Sequence, residues 1–144
     1  MKNLIFFFLI FISLKTSLMA SEKKAYFAGG CFWCVEEAFE KTKGVSKAIS
    51  GYTGGQVENP TYEQVTYNET GHYEAVEVVY DPNVISYEQL LNVFWKNIDP
   101  YDAKGQFCDK GSSYLTAVFY QNDLEKKLFQ ESKVKLGKSD IDKF

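Results

Sequence analysis

The chain has 144 residues, 16 of them basic and 19 acidic, for a formal charge of −3. Every basic residue is a lysine, so no guanidinium fork is available for phosphate or base edges, and with an acidic balance and no basic cluster nucleic acid is excluded as a partner. One His and three Cys leave few ligands for a metal, so no metal site is expected.

Residues 1–20 stand apart from the rest. Positions 4–12 are an unbroken apolar run behind Lys2, Leu14 extends it, Lys15 ends it, and Ala20 sits at a plausible cleavage point. This is the layout of a secretory signal peptide. A bilayer span needs roughly 18 apolar residues, so an uncleaved anchor is the weaker alternative and no stable membrane insertion is expected. Loss of Lys2 and Lys15 takes two positive charges from −3 and leaves −5. The remaining residues, 21–144, suit one domain. The expected location is outside the cytoplasm, periplasmic or secreted. Three thiols do not pair evenly there, which favours a working thiol over a disulfide framework.

In the mature part, positions 24–28 read as a strand that Gly29 and Gly30 interrupt. A helix is predicted over 31–42, with Phe32, Val35 and Phe39 at helical spacing. Gly44 ends it, and 45–52 read as a second strand. Positions 53–71, rich in Gly, Asn, Thr and Tyr, are expected to be a long loop. A third strand is predicted at 72–80, followed by a turn at Asp81-Pro82-Asn83. Ser86 and Gln89 have capping-box spacing, and Tyr87, Leu90, Leu91, Phe94 and Ile98 recur on one helical face until Asp99-Pro100. A second polar loop is expected at 101–113 and a fourth strand at 114–120. Asn122 caps a last helix, predicted to turn Leu124 and Leu128 inward. The order βαβ, βαβ, α predicts an α+β fold of the split βαβ, ferredoxin-like type, a two-layer plait with two helices on one face of an antiparallel sheet. Phe144 follows this helix with no closing strand, which raises the expectation of a C-terminal truncation.

The chemistry concentrates where the first strand meets the first helix. In Gly29-Gly30-Cys31-Phe32-Trp33-Cys34 a thiol falls in the first helical turn, where unpaired N–H groups and the helix dipole favour thiolate. Cys34 lies one turn on, within disulfide reach. A buried or statically bonded pair is the plainer alternative, and Cys-x-x-Cys alone also serves metal and redox sites. On the third strand Glu74 shares a face with Val76, Val78 and Tyr80. If that face is buried, Glu74 is a desolvated carboxyl with a raised pKa and a candidate proton donor; if not, it is a solvated strand-end residue.

Six segments carry a family resemblance: Gly-Cys-Phe-Trp at 30–33, Gly-Tyr-Thr-Gly-Gly at 51–55, Asn-Pro-Thr-Tyr at 59–62, Thr-Gly-His-Tyr-Glu-Ala-Val at 70–76, Val-Tyr-Asp-Pro at 79–82 and Asp-Lys-Gly-Ser-Ser-Tyr at 109–114. In this order they resemble peptide methionine sulfoxide reductase A, from about residue 25 to the end. The resemblance implies a catalytic domain over 21–144 with the same two-layer plait. It makes Cys31 the nucleophile, Phe32 and Trp33 the aromatic wall around the substrate methyl group, and Glu74 the acid that protonates the sulfoxide oxygen. Tyr62 and Tyr114 match hydroxyls that bind that oxygen, and Asp109 a carboxylate that organises the site.

The implied activity is reduction of methionine S-sulfoxide, free or in proteins, through a cysteine sulfenic acid and an intramolecular disulfide, with repair of oxidised proteins as its role. No cofactor is implied, and a thioredoxin or thioredoxin-like dithiol is the implied reductant. Cys34 stands where many members have Gly. Its short loop to Cys31 favours it as the resolving thiol, with Cys108 beside Asp109 as rival. A thioredoxin-like disulfide exchanger using Cys31 and Cys34, and an inactive truncated paralogue acting as a binding module, are the other classes. Export predicts a mature protein that starts near Ser21. N-terminal sequencing of the mature protein checks this, and retention of Met1 in a cytoplasmic fraction contradicts it.

Overall fold

A computed structural model describes residues 21–67 and 70–141, with side chains as far as Gly137, so the predicted signal peptide lies outside the described residues. The elements are β1 (Lys23–Ala28), α1 (Phe32–Glu40), β2 (Val45–Thr53), α2 (Tyr62–Thr66), β3 (Tyr73–Tyr80), α3 (Tyr87–Lys96), β4 (Gly105–Gln106), β5 (Asp109–Lys110), β6 (Ala117–Phe119) and α4 (Asp123–Ile141). A 3-10 turn at Ser112–Tyr114 lies between β5 and β6. Helix and sheet are mixed. The main sheet has the order β2-β3-β1-β6 with antiparallel neighbours, and β4 and β5 form a separate hairpin.

Strand alternation decides which face is covered. On β3 Glu74, Val76, Val78 and Tyr80 are buried, all on one face, and Phe27 of β1 is fully buried among them. From α1, Phe32, Val35 and Phe39 cover this face, and from α3 Tyr87, Leu90, Leu91 and Phe94 do so. The Phe27 ring lies 5.0 Å from those of Phe39 and Phe94 and 6.2 Å from that of Tyr87, so one strand residue joins both helices. The α3 capping box is complete: Ser86 Oγ accepts from Gln89 N–H and Gln89 Oε1 accepts from Ser86 N–H.

Several sequence-based expectations need correction. The helix predicted from position 31 begins at Phe32, with Cys31 as its N-cap residue, and ends at Glu40. The loop at 53–71 contains α2, opened by a second capping box between Thr61 and Gln64. That of 101–113 contains the β4–β5 hairpin. Only Ala117–Phe119 of the strand predicted over 114–120 pairs in the sheet, because Tyr114 closes the 3-10 turn. Asn122 does cap α4, its Oδ1 accepting from Glu125 N–H at 2.9 Å. Leu124, however, is 64% exposed. The covered face of α4 carries Glu125, Leu128, Phe129 and Ser132, four positions at helical spacing. Phe129 stacks on Trp95 at 5.9 Å, and Trp95 Nε1 donates to Ser132 Oγ at 2.9 Å, which fastens α4 to α3.

Because Phe27 fills the centre of this core, Phe27→Ala is expected to lower stability by about 3–5 kcal/mol. A drop in the urea midpoint at unchanged slope checks it.

Candidate active site

The turn after β1 builds the site. Gly30 has φ +80, a conformation that glycine adopts without a Cβ penalty, and it sends the chain directly into α1. At the N-cap, the Cys31 carbonyl accepts from Cys34 N–H at 3.1 Å and Val35 N–H at 3.4 Å, which holds the thiol-bearing residue at the helix entrance. Cys31 is partly exposed, Cys34 is exposed, and both are free thiols. Lost hydration, then the neighbouring Cys31 thiol and the charges of Asp109 and Glu37, push the Cys34 thiol up from its ordinary pKa.

Glu74 lies across from this turn and is 1% exposed. Phe32 N–H, the first of α1 after Cys31, donates to Glu74 Oε2 at 3.2 Å. Its other oxygen, Oε1, is buried without a hydrogen-bond partner among the described residues. Burial raises the Glu74 pKa. The Phe32 bond offsets part of that rise and the like charge of Asp109 adds to it. A buried carboxyl of this kind holds its proton further toward neutral pH than a solvated one and has an oxygen free to present it.

Aromatic rings enclose the space beside these groups. The Phe32 ring is 5.3 Å from Trp33, 5.8 Å from Tyr52 and 6.4 Å from Tyr62, and Trp33 and Tyr62 stack at 6.5 Å with planes 12° apart. Trp33 is 64% and Tyr62 47% exposed, so the front is open. Tyr114 comes in from the 3-10 turn beside Tyr62. Loss of water, then the charge of Glu74, the Tyr62 hydroxyl and Asp109 hold its pKa far above the ordinary phenol range, so it stays a hydroxyl donor at neutral pH. Asp109 enters on β5, and its charge reaches Glu74, Cys34 and Tyr114.

Cys31, Phe32, Trp33, Glu74, Tyr62, Tyr114 and Asp109 therefore meet from five separate parts of the chain. Cys108 is exposed at the tip of the β4–β5 hairpin. Tyr52, which the sequence reading did not single out, also belongs to the cluster. It pairs in register with Glu74, and burial, then the charges of Glu74 and Tyr62, raise its pKa. Its place in Gly-Tyr-Thr-Gly-Gly was the available signal.

A family model described as peptide methionine sulfoxide reductase matches residues 23–143. The chain belongs to the peptide methionine sulfoxide reductase family. Thiol-dependent reduction of methionine sulfoxide, and with it the repair of oxidised proteins, is the activity that this membership carries. The peptide methionine sulfoxide reductase of Bacillus licheniformis is 56% identical over 124 residues, which cover 85% of this chain and 68% of that one. The enzyme of Bacillus subtilis is 55% identical over 123 residues, covering 84% and 70%. Among solved structures, methionine sulfoxide reductase A of Corynebacterium diphtheriae matches with a TM-score of 0.73 at 29% identity, over 82% of this chain and 59% of that one. Mxr1 of Saccharomyces cerevisiae in reduced form matches with a TM-score of 0.73 at 28% identity, over 83% and 72%. Among the described residues no group of His, Cys, Asp and Glu could hold a metal, and no helix is long and apolar enough to cross a membrane.

The raised pKa of Glu74 has a consequence for stability. Between the ordinary carboxylate pKa and the raised one, the folded protein keeps a proton that the unfolded chain releases, so stability falls as pH rises through that window. Glu74→Gln is expected to flatten this part of the stability–pH curve. Urea midpoints from below the carboxylate range to neutral pH check it, and an unchanged slope in the variant would show that Glu74 is not the group responsible.

Proposed function

We propose that Cys31 attacks the sulfur of a methionine S-sulfoxide while Glu74 gives its proton to the departing oxygen. The observation that carries this reading is Glu74 itself: a buried carboxyl with a raised pKa, one oxygen held by the N–H next to Cys31 and the other unpartnered. Tyr62 and Tyr114 bind the sulfoxide oxygen by hydrogen bonds, and Asp109 keeps Glu74 protonated through its like charge. Phe32 and Trp33 receive the methyl group. Attack forms an S–S bond as the oxygen takes the proton; the oxygen then moves to the Cys31 sulfur as the S–O bond to substrate breaks, the S–S bond cleaves with its electron pair returning to the substrate sulfur, and the products are methionine and a sulfenic acid on Cys31.

Cys34 then attacks the sulfenic acid, water leaves, and a Cys31–Cys34 disulfide forms. Its place in the helical turn that starts at Cys31, near enough for Cys31 to raise its pKa, supports it as the resolving thiol over Cys108 at the hairpin tip. A thioredoxin or thioredoxin-like dithiol returns both thiols. Substrates are methionine sulfoxide in proteins or free. The protein works outside the cytoplasm, and its reductant is delivered there. The fold is the ferredoxin-like plait, a reading supported by the antiparallel order β2-β3-β1-β6 and by α1 and α3 on one face.

Cys31→Ser is expected to abolish reduction of a methionine sulfoxide peptide, and Glu74→Gln to slow it by about 100-fold or more. Cys34→Ser should release one methionine per enzyme and then stall with thioredoxin. Product counting in single- and multiple-turnover assays reads all three. Full activity in Cys31→Ser would overturn the nucleophile, and undiminished turnover in Cys34→Ser would transfer resolution to Cys108.

A further inference from the structure

Gln106 is 1% exposed, and each polar atom of its amide has a partner. Oε1 accepts from Asp99 N–H at 2.7 Å, while Nε2 donates to the Asp99 carbonyl at 2.7 Å and to Thr116 Oγ1 at 2.9 Å. The paired bonds to Asp99 imitate a strand neighbour and hold the segment after α3. The aliphatic stem of the same side chain lies against Gly30. A Cβ added at Gly30 would stand 2.4 Å from Gln106 Cβ and 2.8 Å from its Cγ, so the residue before Cys31 rests directly on Gln106. Within the hairpin, Gln106 is the register partner of Asp109. Thr116 lies two residues beyond Tyr114.

We infer that Gln106 is a positioning residue for the reduction: its stem under Gly30 and its amide between Asp99 and Thr116 hold Cys31 in register with Asp109 and Tyr114. A ladder of two residues per strand is too short to hold itself in place, so the β4–β5 hairpin needs an anchor in the core. Gln106 supplies one with a neutral side chain that has two donors and an acceptor. Glutamate would turn an oxygen toward the Asp99 carbonyl, and asparagine is one methylene too short to reach both Asp99 and Thr116. The amide's own partners are Asp99 and Thr116, so Gln106 acts on the chemistry through the Gly30 backbone on one side and through the hairpin and Thr116 on the other. This rests on the assignment of Cys31 as the nucleophile, with Tyr114 on the sulfoxide oxygen.

The test uses full-length protein carrying Cys34→Ser and Cys108→Ser, in which Cys31 is the remaining thiol, and follows single-turnover release of methionine. Gln106→Met keeps the stem on Gly30 and removes the hydrogen bonds. Its saturating rate constant is expected to fall about 10- to 100-fold, with half-saturation by the sulfoxide and alkylation of Cys31 by iodoacetamide each staying within about twofold. Thr116→Val, which removes one bond, should lower the rate constant by about threefold or more and decides the matter if Gln106→Met does not fold. An unchanged rate constant in the folded variant overturns the proposal. So does a fall in rate and alkylation by one common factor, the mark of a lost folded fraction. Failure of the underlying assignment would show separately, as activity in Cys31→Ser with Gln106 intact.

Discussion

The hydrogen bond from Phe32 N–H to Glu74 joins the first turn of a helix to the middle of a sheet, and the site is arranged around it. A carboxyl taken out of water costs free energy unless it is neutralised or hydrogen-bonded. Here one oxygen has a backbone donor, and Asp109 bears on the group with charge of the same sign. Both burial and Asp109 favour the protonated form, the form able to donate. The N–H that steadies the acid belongs to the residue after Cys31, so acid and thiol are held by adjacent positions of the backbone.

The surroundings suit a reactant that is apolar at one end and strongly polar at the other. Phe32, Trp33, Tyr52 and Tyr62 form a wall of rings, whereas the hydroxyls of Tyr62 and Tyr114 and the Glu74 carboxyl lie on the polar side. Trp33 and Tyr62 remain exposed, and so does Cys34, the residue after Trp33. An open front of this kind leaves room for a side chain standing on another protein.

Much of the hydrophobic scaffold was legible. Periods of 2 and 3.6 residues are local properties, and they located β1, β2, β3, α1 and α3 to within a few residues and placed Phe39 and Leu90 on the inner faces of their helices. The segments 53–71 and 101–113 carry no such period. The short helix α2 has five residues behind its Thr61–Gln64 capping box and the β4–β5 hairpin has a two-residue ladder, both too short for either period to repeat. Leu124 was misplaced because the apolar residues of α4 alone do not define its inner face: Glu125 and Ser132 are buried there, the former by bonds to Gln121 and Asn122 and the latter by Trp95.

The sequence by itself determined the kinds of chemistry available: a thiol pair at a helix entrance, a carboxyl on the covered face of a strand if that face was inward, and no basic cluster for nucleic acid. Only the tertiary structure decided that the face of Glu74 is the covered one, since Tyr73, Ala75 and Val79 make the opposite face nearly as apolar. It also decided that Tyr52 joins the cluster and that Gln106 lies beneath Gly30. The physical reason is one of range. A residue's own face follows from the geometry of its strand or helix, but the choice between two faces, and the meeting of Cys31 with groups 21 to 83 positions away in the chain, follows from which surfaces lose water together when the helices close on the sheet.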